Sequence, residues 1–216
     1  MPLLGKDSSR TRGALLLGVL TIIVGAVFAF AWLADEMLEG DTRAFDGAVR
    51  GWAHGFAAPA MTSGMQAVSR LGSVVVLTIA GVVVVAVSLY RRRKRDAVLV
   101  TAALAGSAVL GSALKYAFQR TRPIAFVDAS PVSFSFPSGH ALGAFCFYGA
   151  MALILSAQVR GRVAQVGIHA AAFGLIVLIG FSRIYLGVHY PSDVVAGYAV
   201  AAAWLWAVAY FGWYER

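Results

Sequence analysis

The sequence predicts an all-α, polytopic membrane protein with six transmembrane helices and a short amphipathic segment in its first extracytoplasmic loop. Three observations lead there. Of 216 residues, 60% are hydrophobic and only 13% are charged, against about 25% charged in an ordinary soluble domain. The mean hydropathy is +0.76, and the apolar residues gather in runs of about 20, enough to cross about 30 Å of hydrocarbon as helix. Between those runs the basic residues fall in short clusters, the pattern that encodes membrane topology. A net charge of +8 and a pI near 10.1 would also suit a nucleic-acid binder. The clustering assigns that charge to topology instead, so the expected partners are the bilayer and its lipids, with no nucleic acid.

Six runs can be drawn, at 13–34, 71–90, 97–118, 139–157, 163–181 and 194–213. The first exceeds the apolar core of a cleavable signal peptide and ends in Asp35-Glu36 rather than small residues, so it reads as a membrane helix. The loop 35–70 is longer than a connection requires. Its Phe45, Val49, Trp52 and Phe56 recur at helical spacing, which predicts an interfacial helix that Pro59 ends or succeeds. This segment reads as a connector resting on the membrane rather than a lid. The valine-rich stretch 82–85 has modest helix propensity, but in lipid the backbone has to satisfy itself and helix is expected. The lone cysteine, Cys146, lies inside an apolar run as a packing residue and excludes an intrachain disulfide. With no repeat or linker in view, one integral-membrane domain is expected over 1–216.

Orientation follows from the cations. Lys6, Arg10 and Arg12 precede the first run; Arg91, Arg92, Arg93, Lys94 and Arg95 join the second to the third. Arg160 and Arg162 join the fourth to the fifth, and Arg216 follows the sixth. Six crossings put all of these on one face, which the positive-inside rule makes cytoplasmic together with both termini. The loops 35–70, 119–138 and 182–193 then share the opposite face.

Those loops hold the chemistry. Lys115, Arg120 and Arg122 cluster around the start of the second. It ends in Phe136-Pro137-Ser138-Gly139-His140, where Ser138 suits an N-cap and Gly139 permits close approach to the backbone. A helix N-terminus favours an anion through its free N–H groups and its dipole, and His140 is placed to exchange a proton with the group bearing that anion. The third loop adds Arg183, His189 and Asp193. Pro191 suits the first turn of the last helix, which brings Asp193 within reach of one imidazole nitrogen of His189 and leaves the other as nucleophile or base. His54 and His169 read as interfacial or helix-borne polar groups without such a role. Cations, a helix N-terminus and two histidines on one face make a phosphate site, in which charge on the phosphoryl oxygens is stabilised electrostatically. No carboxylate cluster suits Mg²⁺, since Asp193 is committed to His189 and Asp128 stands alone. Neither a metal nor another cofactor is therefore expected, and a phosphohistidine route is.

The pattern Lys115-x6-Arg122-Pro123, Pro137-Ser138-Gly139-His140 and Ser182-Arg183-x5-His189-x3-Asp193 resembles the three signature motifs of the type 2 phosphatidic acid phosphatase family. That family shares its site with vanadium-dependent haloperoxidases and glucose-6-phosphatase. Order and spacing match at every signature position, and the six-helix layout extends the likeness to most of the chain. The resemblance implies that His189 attacks phosphorus and Asp193 orients it. It further implies that Lys115, Arg122, Arg183, Ser138 and Gly139 hold the phosphoryl oxygens. His140 would protonate the leaving group and then activate water. It implies a metal-independent lipid phosphatase of a bacterial inner membrane, with its site at the extracytoplasmic face. Undecaprenyl diphosphate, phosphatidylglycerol phosphate and phosphatidate are its candidate substrates. A lipid phosphotransferase would use the same intermediate, a non-catalytic lipid-binding protein would use the site without turnover, and a soluble haloperoxidase is disfavoured by the membrane helices.

Overall fold

The computed structural model describes residues 5–127 and 132–214. Eight helices appear among them: α1 (Gly5–Glu39), α2 (Thr42–His54), α3 (Pro59–Leu71), α4 (Val74–Tyr90), α5 (Lys94–Phe118), α6 (Gly139–Ser156), α7 (Arg162–Tyr185) and α8 (Pro191–Val208), the last continuing as a π-helical segment, Ala209–Tyr214. The all-helical expectation holds. Side chains of Lys6, Arg10 and Arg12, and the whole of Asp128 and Arg216, lie outside what is described.

Among the described residues five helices are long and apolar enough to cross a bilayer, and a sixth crossing forms if α3 and α4, bent by 46° at their junction, act as one broken span. The sequence places a single straight run at 71–90. The structure divides it at Gly72-Ser73, where Ser73 caps α4 by accepting from Val76 N at 3.3 Å. The preceding loop contains two helices rather than one. Phe45 and Trp52 of α2 and Phe56 just beyond it face outward, each more than half exposed, whereas Thr42, Asp46 and Ala53 are buried and Val49 packs inward with Ala53. The expected interfacial amphipathic helix is present: its outward face suits the membrane interface, and its polar face meets protein.

The core is organised around α6, which packs against α5, α7 and α8, while α1 lies along α8. Leu142, Cys146, Phe147, Ala150 and Leu153 of α6 meet Leu99, Val100 and Ala103 of α5 and Ala201 and Leu205 of α8. Outer faces such as Leu17, Val24 and Phe28 of α1 and Val74, Ile79 and Val82 of α4 remain exposed. The bilayer supplies the apolar surroundings that they lack in the protein. The C-terminal ends of α5 and α7 and the N-terminal ends of α6 and α8 meet at one end of the bundle. The basic turn Arg92–Arg95 meets the other end of α6, at Ile154, Ala157 and Gln158.

Gly197 sets the closest approach. A Cβ at this position in α8 would lie 2.8 Å from Ser138 O and 3.1 Å from Ala141 Cβ, so only a residue without one lets α8 meet the start of α6. Gly197→Ala is expected to push the two helix ends apart and to cost about 1–3 kcal/mol, as overpacking does. A lower thermal unfolding midpoint in detergent is the measurement.

Candidate active site

Helix α5 stops at Gln119, whose left-handed backbone (φ +47°) lets its N–H return to Lys115 O. Residues 132–138, which lead into α6, form a strap at this end of the bundle. Lys115 Nζ holds that strap by donating to Phe134 O at 2.6 Å and to Ser135 O at 3.4 Å. Arg122 grips it from the other side, donating Nε to Ser133 O at 2.7 Å and Nη2 to Ser133 Oγ at 2.9 Å. Its Nη1 donates to Val188 O at 2.8 Å and reaches His189 Nε2 at 3.0 Å.

That last contact fixes a proton. A guanidinium only donates, so Nε2 of His189 accepts and the ring proton sits on Nδ1. Nδ1 lies 3.2 Å from Asp193 Oδ2, which takes that proton's hydrogen bond. His189 is 1% exposed. Burial, opposed by Asp193 and reinforced by the Arg122 and Arg183 charges, brings its pKa down to about 4. The imidazole is therefore neutral at ordinary pH, with a lone pair on Nε2.

Asp193 is completely buried, and its partners explain how. Oδ2 also accepts from Ser135 Oγ at 2.5 Å and from Tyr190 N at 2.9 Å, while Oδ1 accepts from Arg120 Nη1 at 2.7 Å. Arg120 turns its other nitrogen to Asp46 Oδ2 at 2.8 Å and lies over the Tyr190 ring, 4.1 Å from its centroid. Asp46 in turn accepts from Ser192 N at 3.0 Å and Ser192 Oγ at 2.7 Å. The motif reading passed over Arg120, Asp46, Ser135 and Ser192. The connector reading of 35–70 is also incomplete, because α2 carries a fully buried carboxylate into this network. The available signal was Asp46 itself, one turn from Thr42 and off the Phe45–Trp52 face.

Ser138 caps α6, its Oγ accepting from Ala141 N at 3.5 Å, and its own N donates to Asp193 O at 2.9 Å. Gly139 is exposed beside it, and a Cβ there would stand 4.0 Å from Lys115 Cε. Arg183 Nη1 donates a short hydrogen bond to Ser69 Oγ of α3. His140 and Arg183 line one cavity of about 270 Å³, and His140 lies in electrostatic reach of Arg183, His189, Arg122 and Lys115. All eight sequence-selected residues thus meet at one end of the bundle. His54 and His169 do not join them: His54 stacks on Phe126 with centroids 4.0 Å apart, and His169 is exposed on α7. The assembly combines a lone-pair nitrogen, a second histidine, three cations and a helix N-terminus, which together can hold a tetrahedral anion and move a proton beside it.

Residues 96–216 match the family model of the PAP2 superfamily. The chain belongs to that superfamily. It is 31% identical over 147 residues to phosphatidylglycerophosphatase B of Bacillus subtilis, covering 66% of this chain and 70% of the relative. It is 32% identical over 120 residues to undecaprenyl-diphosphatase of Sulfolobus acidocaldarius, covering 53% and 54%. The fold superposes on the crystal structure of a transmembrane PAP2-type phosphatidylglycerolphosphate phosphatase from Bacillus subtilis with a TM-score of 0.83. That match has 27% identity and covers 90% of this chain and 97% of the other. The motifs and the fold therefore place this multi-pass membrane protein among the PAP2 phosphatases.

Two outcomes follow from the buried charges. Arg120→Ala leaves the carboxylates of Asp46 and Asp193 without their common cation, an expected cost of about 3–5 kcal/mol. The thermal midpoint in detergent should fall accordingly, with Arg120→Lys recovering only part. For His189, a folded pKa of about 4 against the ordinary 6.5 means that the native state binds fewer protons between those values. Its contribution to stability is complete above pH 6.5 and is lost as pH falls toward 4. The difference in thermal midpoint between wild type and His189→Gln should shift across that window and be flat above it.

Proposed function

We propose that this chain hydrolyses the terminal phosphate of a membrane lipid phosphate or diphosphate through a metal-independent phosphohistidine intermediate. The coarser statement rests on family membership: the chain is a PAP2-type enzyme, a hydrolase of lipid phosphates, as the names of its relatives agree. The observation that carries the finer one is the His189 tautomer, with Nδ1–H on Asp193 and the Nε2 lone pair turned to Arg122.

Arg122 Nη1 stands on that lone pair. A phosphate dianion is a stronger acceptor for a guanidinium than a neutral imidazole, so substrate binding draws Arg122 onto a phosphoryl oxygen and frees Nε2. Lys115, Arg183 and the N-terminus of α6 at Ser138 and Gly139 take the remaining oxygen charge. Nε2 then forms a bond to phosphorus as the bond to the leaving oxygen breaks, and His140 passes its proton to that oxygen. Asp193 stabilises the positive charge on the phosphorylated ring through Nδ1–H. In the second half His140 takes a proton from water, the water oxygen bonds to phosphorus, the N–P bond breaks, and inorganic phosphate leaves. Positioning and fixed charge do most of this work.

One membrane domain over 1–216 carries the reaction. The basic turns at the far end of the bundle support a cytoplasmic location for that end and an extracytoplasmic face for the site. Polyprenyl diphosphate, phosphatidylglycerol phosphate and phosphatidate are the substrate classes to assay.

Phosphate release from such lipids in detergent should persist in EDTA. His189→Ala should lower it by about a thousandfold or more, in the range expected when a group that handles the reacting atoms is lost. His140→Ala, given a labelled lipid phosphate with a good leaving group, should accumulate acid-labile, base-stable label on the protein. Robust turnover by His189→Ala would refute the mechanism.

A further inference from the structure

The cavity shared by His140 and Arg183 is also lined by the α3–α4 elbow, through Gln66, Ser69, Arg70 and Ser73. The elbow is fitted to the histidine. Gly72 is buried, and a Cβ there would stand 2.5 Å from Ile179 Cγ2 and 3.4 Å from His140 Cδ2. Tyr148 OH donates to Leu71 O at 3.0 Å, and Ser73 caps the helix that follows. Ser69 is held by Arg183. Arg70 differs from these anchored neighbours: it is exposed, and among the described residues its guanidinium enters no ion pair or side-chain hydrogen bond.

We propose that the elbow is a leaving-group subsite in which Arg70, with Gln66 beside it, binds a phosphate anion carried by the leaving group itself. The inference rests on the phosphohistidine reading above and adds to it a substrate class. Phosphoryl transfer keeps the attacking and leaving atoms roughly in line. With His189 Nε2 attacking, the departing oxygen leaves toward His140, and whatever it is attached to extends into the cavity that His140 lines. When the P–O bond breaks and that oxygen takes the His140 proton, a leaving group with a second phosphate still carries negative charge. The Arg70 guanidinium meets it with paired donors, the geometry that suits phosphate oxygens. A diacylglycerol leaving group is neutral and offers Arg70 nothing. The elbow therefore favours lipid diphosphates, or lipid monophosphates whose lipid part already contains a phosphodiester, over phosphatidate.

The test compares wild type, Arg70→Ala and Arg70→Lys on a polyprenyl diphosphate, phosphatidylglycerol phosphate and phosphatidate in the same detergent. Arg70→Ala should lower kcat/KM for one or both of the first two at least about tenfold more than for phosphatidate, the effect of one charge-assisted hydrogen bond. The loss should fall mainly in KM, with Arg70→Lys recovering part of it. The substrate that suffers identifies whether the recognised phosphate is bonded directly beyond the scissile oxygen or lies one glycerol away. Equal losses on all three lipids, no loss on any, or a wild type that prefers phosphatidate would overturn the proposal. Binding of the same lipids to His189→Ala with and without Arg70→Ala, followed by tryptophan fluorescence, makes the comparison without turnover. A chain that released no phosphate at all would thus sink the phosphatase reading while the subsite was still being tested.

Discussion

Asp193 has no exposure to solvent, and burying a carboxylate costs several kcal/mol unless charge and hydrogen bonds replace its water. Much of the surrounding architecture answers that demand. Arg120 reaches it from beyond the end of α5, Ser135 from the strap, and the Tyr190 amide from the turn that opens α8. Arg120 would itself be over-supplied with one partner, and Asp46 takes its second nitrogen. Because Asp46 is on α2, a segment that looks like a membrane-resting connector is tied to the first turn of α8. The result is a carboxylate with a fixed position, which in turn fixes the ring of His189.

The same comparison sorts the cations. Arg120 spends its charge on two carboxylates, whereas Lys115 and Arg122 bond to neutral acceptors: backbone carbonyls, Ser133 Oγ and His189 Nε2. Neutral partners orient a cation without cancelling it. Lys115 and Arg122 are therefore held in place yet keep a positive field for an incoming anion, and Arg120 belongs to the scaffold although it sits two residues from Arg122. Proximity in sequence gave no hint of that division; the charge of each partner does.

How far the chain could be read in advance follows from the same contacts. The membrane helices were legible because hydropathy is a local property, and the eight residues that meet at the bundle end could be picked out because their spacing inside three short motifs is local too. The Arg120–Asp46–Ser192 connection was not. Asp46 and Ser192 are 146 residues apart, and no periodicity in either segment points to the other. The interfacial, amphipathic character of α2 was legible in its apolar spacing, but that spacing carries no information about what the polar face touches. Phe45 and Trp52 took the attention while Asp46, on the opposite face, made the contact. The break at Gly72-Ser73 was visible only as a glycine and a serine at the margin of an apolar run, where Ser73 turned out to be a helix cap.

That break links membrane thickness to the site. At about 1.5 Å per residue, α4's 17 residues make about 25 Å of helix, short of the roughly 30 Å hydrocarbon layer. A straight extension would complete the crossing but carry the chain past the end of the bundle. The bend instead lays α3 across it, so that Ser69 meets Arg183 and Gly72 packs on His140. Non-helical backbone at such depth is tolerable where it is buried in protein or lines a polar cavity. The Gly72-Ser73 elbow meets both conditions: Tyr148 occupies the Leu71 carbonyl, and the far side opens on the His140 cavity. The broken span satisfies its backbone locally, Gly72 N on Ser69 O and Ser73 N on Arg70 O with Tyr148 on the Leu71 carbonyl, and that self-sufficiency lets the bend stand beside a polar cavity and bring Gly72 against His140.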